Sequence, residues 1–150
     1  MSALGFTGTR RFSRFDLSLI TPTMWSWFEA YDSFVTGACI GFDAIIGSEL
    51  VTRFPDKEHV IMVPYDRSRV DPWWTKRRIS DAVDIKVIEM PIGSNYRDRN
   101  TAIVLRSDAL FYAANYPEKP GNRSGTWMTV NIARNHNLLI TGVILHPLVP

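Results

Sequence analysis

Residues 59–64 have the sequence HVIMVP, a continuous apolar run of strand length that follows the polar pair Lys57-Glu58. A run of this kind fits a strand that is buried on both faces, as in the middle of a parallel sheet. Five further strands are predicted at residues 4–9, 33–37, 84–90, 108–114 and 138–145. Residues 84–90 alternate in polarity, which favours a position near the edge of the sheet.

Helical patterns lie between most of these strands. Helix starts are predicted at Pro22, which follows Thr21, and after Gly41, and helices are predicted over residues 95–106 and 124–136. The alternation of strands and helices over residues 1–150 predicts a single Rossmann-like, three-layer α/β domain with a mostly parallel sheet flanked by helices. Residues 66–81 are polar and are interpreted as a loop excursion from this domain.

The composition excludes several classes of protein. The 17 Lys and Arg residues nearly balance the 15 Asp and Glu residues, so the bulk charge favours neither a nucleic acid nor a membrane partner unless the arginines cluster locally. The single cysteine, Cys39, cannot form an internal disulfide or a metal site by itself and is interpreted as a packing residue. We see no signal peptide and no apolar run of membrane-spanning length, so a cytoplasmic location is expected. No bound cofactor is expected.

Polar, glycine-containing segments follow the predicted strands, where parallel sheets bind ligands. After the first strand, Gly8 would allow close approach of a ligand, Thr9 offers a hydroxyl and Arg10 offers a guanidinium for phosphate. A strand-to-helix turn with a solvated arginine explains this segment equally well and is favoured when the segment is taken alone.

The segment TGACIGFD, residues 36–43, follows the second strand. Gly37 and Ala38 are candidates for a turn that cradles phosphate, and Asp43 would either cap the following helix or bind a ribose hydroxyl. Capping is the commoner role for such an aspartate and is favoured here.

Two further segments complete the candidate site. In YRDRN, residues 96–100, two interpretations are equally favoured. Either one of Arg97 and Arg99 reaches a ligand while the other forms an ion pair, with Asn100 beside them, or the charged run is a solvated helix face. In GNRSGT, residues 121–126, the hydroxyls of a serine and a threonine lie at a helix N-terminus, which predicts an anion site. The predicted contacts of this anion site are Ser124, Gly125 and Thr126.

The order of these motifs, with GTR at 8–10, TGACIGFD at 36–43, YRDRN at 96–100 and SGTW at 124–127, resembles the SLOG superfamily. This superfamily includes the LOG-type "lysine decarboxylase-like" proteins and the YspA/YpsA-like proteins. The resemblance implies a Rossmann-like fold, assembly into homodimers or higher homo-oligomers, and ligands such as nucleoside monophosphates, ADP-ribose and cyclic signalling nucleotides.

The resemblance also bears on catalysis. LOG-type phosphoribohydrolases carry a PGGxGTxxE motif, and the matching positions here are Gly125-Thr126 for GT and Arg99 for an arginine that precedes the motif. Thr129 stands at the glutamate position and Asn122 at the first glycine of PGG, and a threonine cannot act as a carboxylate acid or base. Binding of a phosphorylated nucleotide-derived ligand, as a sensor or sequestering protein, is therefore the favoured function.

The alternative function is hydrolysis of the N-glycosidic bond of a nucleoside 5'-monophosphate. This reaction would need a relocated carboxylate, for which Asp43, Asp98 and Glu118 are the candidates. A nucleic acid partner is a weaker third hypothesis.

The excursion contains Trp73 and Trp74 next to three cations, Lys76, Arg77 and Arg78. Either the tryptophans stack on a purine while the cations cover a phosphate, or they lie in a subunit contact or under the loop. The 8 Phe, 5 Trp and 5 Tyr residues add to the expectation of a homo-oligomer.

Overall fold

The computed structural model describes residues 2–75, 82–121 and 124–147 and contains one six-stranded sheet. Its strands are β1 (Ala3–Gly8), β2 (Ser33–Gly37), β3 (Glu58–Val63), β4 (Ile85–Glu89), β5 (Ala109–Ala114) and β6 (Leu139–Ile144). Every pairing between neighbouring strands is parallel. The predicted three-layer α/β fold is therefore confirmed, and all six strands lie within two residues of the predicted bounds.

Four α-helices connect the strands: α1 (Pro22–Glu29), α2 (Phe42–Arg53), α3 (Tyr96–Leu105) and α4 (Gly125–Asn135). The predicted N-caps form as expected, because Thr21 Oγ1 accepts a hydrogen bond from Met24 N at 3.2 Å and Ser124 Oγ accepts one from Trp127 N at 3.2 Å. Two 3-10 helices, Arg14–Leu19 and Trp73–Thr75, were not predicted. Among the helices of the described ranges, none is long and apolar enough to cross a membrane.

The core covers both faces of the sheet. On one face, aromatic rings pack edge-on or at an angle, with the Phe28 and Phe111 ring centroids 4.9 Å apart and those of Phe6 and Phe28 5.2 Å apart. On the other face, aliphatic side chains of α3 and α4, such as Ile103 and Val130, pack on the sheet. The apolar run 59–64 was predicted to form a strand that is buried on both faces. This prediction is confirmed, because every residue of the run is buried.

The strand order β4-β3-β2-β1-β5-β6 creates a topological switch at β1. From β1 the chain adds β2, β3 and β4 on one side, then returns to place β5 on the other side of β1. The loops that leave β1 and β5 therefore diverge, and they open a crevice at the carboxyl ends of these two strands. β4 lies at the edge of the sheet, as predicted.

Candidate functional site

A cavity of about 420 Å³ lies at the carboxyl ends of β1 and β5, at the switch point of the sheet. This volume is in the range of about 300–1,000 Å³ that small-molecule sites occupy. Segments that are distant in sequence meet there, since its wall combines the end of β1, the starts of α2, α3 and α4, and the residues after β5. The predicted ligand contacts that line it are Gly8, Thr9, Arg10, Asp43, Arg99, Asn100, Ser124, Gly125 and Thr126.

The end of β1 forms the floor of the cavity. Thr9 N donates to Ala113 O at 2.9 Å, so the pairing of β1 with β5 continues to the edge of the crevice. Gly8 faces the ring of Phe42, and a Cβ on Gly8 would lie 2.3 Å from Phe42 Cδ2. Packing against Phe42 therefore requires a glycine here, whatever the cavity holds. Arg10 is exposed at the rim.

A buried ion pair crosses one wall of the cavity. Arg99 Nη1 lies 3.0 Å from Asp43 Oδ2, and the two side chains are 8% and 7% exposed. Asp43 Oδ2 also accepts a hydrogen bond from Cys39 N at 3.2 Å. Burial opposes the charge on Arg99, but the carboxylate of Asp43 together with Cys39 and Tyr96 outweighs burial, and the pKa of Arg99 is raised. The prediction that one arginine of the YRDRN motif forms an ion pair is confirmed, and that residue is Arg99.

The expected capping role of Asp43 is wrong. Gly41 occupies the N-cap position of α2, with φ +88°, and Asp43 is the second residue of the helix. Because Oδ2 of Asp43 is engaged by Arg99 and by Cys39 N, the carboxylate joins α3 to the loop between β2 and α2. A further atom of this cluster has no partner among the described residues, since Arg99 Nε is buried and makes no hydrogen bond.

Gly37 and Ala38 do not line the cavity. A Cβ on Gly37 would lie 1.9 Å from Arg99 Nη1 and 2.3 Å from Asp43 Oδ2, so this glycine makes room for the ion pair. Ala38 is fully buried in the core beside α2 and the loop excursion. The structure therefore places these two predicted cradle residues behind the ion pair.

Cys39 lines the cavity and remains a thiol at neutral pH. Burial, followed by the charge of Asp43, raises the pKa of Cys39 to about 11, although Arg99 opposes the shift. A thiol of this pKa is a poor nucleophile, which agrees with its interpretation as a packing residue.

The N-terminus of α4 faces the cavity. The first amides of a helix have no acceptor within the helix and carry the positive end of its dipole. At Gly125, an added Cβ would meet no atom of the described residues within 4 Å, so none of these residues fills the space in front of it. The loop before α4 is held to the helix by Trp127 Nε1, which donates to Tyr116 O at 2.9 Å.

Several residues of the cavity wall were not predicted from the sequence. Arg69 comes from the loop excursion, which is joined to the β2–α2 loop by hydrogen bonds from Ile40 N to Arg69 O at 2.9 Å and from Asp71 N to Ala38 O at 2.8 Å. No local sequence signal tells where a long loop docks. The other unpredicted wall residues are of two kinds. Those in or beside the quoted motifs are Thr7, Tyr96, Trp127 and Met128, and those that directly follow β5 are Asn115 and Tyr116.

Two predicted contacts lie elsewhere. Arg97 is exposed and borders a second, more open depression, together with Glu118. Trp74 packs edge-on against Trp73, with ring centroids 6.0 Å apart, and Trp73 is buried against Gly47. Of the interpretations given for the two tryptophans, the position under the loop is therefore the one that Trp73 adopts. The cations Lys76, Arg77 and Arg78, and the motif residue Asn122, lie outside the described residues.

The carboxylates considered for catalysis occupy different places. Asp98 accepts a hydrogen bond from Asn95 N at 2.9 Å in the capping box of α3, and Glu118 pairs with Arg134 at 2.7 Å. Thr129, at the glutamate position of the LOG-type motif, is fully buried and donates to Gly125 O at 2.8 Å. Of the three carboxylates, Asp43 lines the cavity. Within residues 2–75, 82–121 and 124–147, no group of three or more metal-binding side chains is found.

No family model and no curated protein matches this chain. The resemblance to the SLOG superfamily stays a prediction.

Proposed function

We propose that the cavity binds a phosphorylated, nucleotide-derived ligand. The observation that carries the proposal is the convergence, at the switch point of the sheet, of an open helix N-terminus at Gly125 with two arginines, Arg10 and Arg69. Its volume of about 420 Å³ suits a ligand of mononucleotide size.

The balance of charge in the cavity favours an anion. Asp43 is the carboxylate in the wall, and Arg99 compensates its charge at 3.0 Å. Arg10 and Arg69 have no carboxylate within ion-pair distance among the residues that the structure describes. A phosphate that accepts hydrogen bonds from the amides of Gly125 and Thr126 would be neutralised by these two guanidinium groups.

The remainder of the wall suits a nucleoside. Tyr96 and Tyr116 supply aromatic rings on which a base could stack, and Asn100 and Asn115 supply amides that both donate and accept hydrogen bonds. Asn115 Oδ1 is buried and has no hydrogen-bond partner among the described residues. An unpartnered buried acceptor is costly, and a donor on a base or ribose would satisfy it.

Binding without hydrolysis is the favoured activity, so the protein would act as a sensor or a sequestering protein. Cleavage of an N-glycosidic bond develops positive charge on the ribose, which a nearby free carboxylate usually stabilises. Here Thr129 is buried away from the cavity, and Asp43 is engaged by Arg99. The alternative phosphoribohydrolase would have to use Asp43 after separating this pair.

Two experiments test the proposal. Mass spectrometry of small molecules released from the purified, denatured protein should find an intact phosphorylated nucleoside derivative. Calorimetry should show that AMP or ADP-ribose binds at least tenfold more tightly than adenosine, and chromatography of the AMP sample should find no free adenine. Equal affinity for AMP and adenosine would show that the cavity has no phosphate site. Multiple-turnover release of adenine would favour the hydrolase.

The expected homodimer or higher homo-oligomer, and a cytoplasmic location, are also part of the proposal. The edge strand β6 is half-buried over most of its length, and Leu139 at its start is 62% exposed, which leaves an apolar surface for a second copy. Light scattering at micromolar concentration should give at least twice the mass of 17.1 kDa, and a monomer would contradict the expectation.

A further inference from the structure

A surface next to the cavity combines cations with an exposed aromatic ring. Arg10 lines the cavity, and Arg11, Arg14 and Phe15 follow it within five residues; these four residues are called the arginine–phenylalanine patch. All four side chains are exposed, and Phe15 is 92% exposed, more than any other large hydrophobic residue among those described.

The backbone of the patch is anchored by a buried phenylalanine and by a capping box. Phe12, within the same segment, is buried, and its ring packs edge-on against Phe42 with centroids 5.0 Å apart. Ser13 N donates to Asp16 Oδ2 at 2.7 Å, which closes a capping box at the start of the 3-10 helix. Phe15 is therefore presented to solvent by a segment that is anchored on both sides of it.

The charge of the patch is not compensated locally. For Arg10, Arg11 and Arg14, the described residues provide no carboxylate within ion-pair distance. Asp16, the acidic residue of the segment, is engaged by the backbone N–H and the hydroxyl of Ser13. The chain as a whole carries a net charge of only +2, so this is a local concentration of positive charge.

We infer that the arginine–phenylalanine patch binds single-stranded nucleic acid whose terminal phosphorylated nucleotide occupies the cavity, an inference that rests on the proposed function. A mononucleotide accounts for the cavity but leaves the patch without a role. A strand that continues from that nucleotide supplies further phosphates for Arg11 and Arg14 and an unpaired base for the ring of Phe15. Phosphate contacts combined with base stacking on aromatic rings are the usual way in which single strands are bound.

The test compares a mononucleotide with an oligonucleotide on the full chain. Fluorescence anisotropy is measured with 3'-labelled, 5'-phosphorylated 12-mers of thymidylate DNA and of adenylate RNA, and AMP and TMP are titrated by calorimetry. The variants are Phe15→Ala and the double variant Arg11→Ala with Arg14→Ala. The controls are Ile92→Ala, which removes a residue that is 87% exposed elsewhere, and Arg106→Ala, which removes an exposed cation.

The 12-mers should bind at least tenfold more tightly than the mononucleotide. Phe15→Ala should weaken their binding by about 5–100-fold, as loss of one stacked base does. The double arginine variant should make the negative slope of log affinity against log salt shallower by about 1.4, since two phosphate contacts are lost. Both variants should bind the mononucleotide as the wild type does, and both controls should bind the 12-mers normally.

The inference is overturned if the mononucleotide binds and the 12-mers bind no more tightly, a result that leaves the proposed function intact. It is also overturned if Phe15→Ala abolishes binding to phosphatidylserine vesicles while the 12-mers do not bind, because the patch then contacts lipid. Failure of every mononucleotide and every 12-mer to bind would reject the proposed function together with the inference.

Discussion

Replacing Gly37 by alanine should disrupt the buried ion pair between Arg99 and Asp43. The new methyl carbon would lie 1.9 Å from Arg99 Nη1, 2.3 Å from Asp43 Oδ2 and 2.7 Å from Asp43 Cγ. Carbon and nitrogen atoms cannot approach so closely, so the guanidinium or the carboxylate must move. Both side chains are more than nine-tenths buried, so the cavity that they line is the space into which they can move.

The expected cost follows from two effects. Forcing an extra methyl group into a packed interior costs about 1–3 kcal/mol, and leaving one partner of a buried ion pair uncompensated costs about 3–5 kcal/mol. Part of the pair can relax toward the cavity that Arg99 and Asp43 both line, so a loss of about 2–4 kcal/mol in the free energy of unfolding is expected.

Urea unfolding, followed by tryptophan fluorescence, measures this loss. Gly125→Ala is the matched control, because the same substitution there meets no atom within 4 Å among the residues that the structure describes and should change the free energy of unfolding by less than about 1 kcal/mol. If Gly37→Ala is as stable as the control, then the buried pair is not packed against residue 37 and the reasoning fails.

Three other variants test the site and the core. Ser124→Ala with Thr126→Ala should weaken AMP binding by more than about 2 kcal/mol, since two charge-assisted hydrogen bonds are lost. The free energy of unfolding should fall by about 1 kcal/mol, because the N-cap of α4 is lost. Unchanged calorimetric affinity would show that these residues do not belong to the phosphate site. Thr129→Glu should lower the urea midpoint and release no adenine from AMP, because it buries a carboxyl group away from the cavity; chromatographic detection of adenine would show that position 129 reaches the ligand. Burial lowers the pKa of His59 below its ordinary value of 6.5, so stability should be complete above pH 6.5 and decline as the pH falls toward the lowered pKa; His59→Gln should flatten this part of the urea-midpoint profile, and an unchanged profile would assign the dependence to other groups.

The sequence predicted the sheet well because its strands carry a strong local signal. Residues 59–64 are apolar without interruption, and the structure buries them in β3 between β2 and β4. The predicted N-caps at Thr21 and Ser124 also form, since an N-cap depends on residues within one turn. In both cases the deciding interactions are local or follow from hydrophobicity alone.

The sequence predicted less of the site because several residues have roles that depend on distant partners. Gly37 was expected to approach a ligand, but the group that approaches it belongs to Arg99, 62 residues along the chain. Arg69 was missed because the docking of the loop excursion is fixed by backbone hydrogen bonds to Ala38 and Ile40, which any sequence could make. A glycine indicates that something comes close, but not which group it is.

The central claim is that a phosphate binds in front of Gly125, and calorimetry of AMP with wild type and Gly125→Ala tests it most directly. The methyl group projects into space that no described residue occupies, so it should crowd a bound phosphate without disturbing the fold. The account predicts that wild type binds AMP at least tenfold more tightly than adenosine, and that Gly125→Ala loses at least tenfold in AMP affinity while retaining the wild-type urea midpoint. Equal AMP affinity of the two proteins would contradict it.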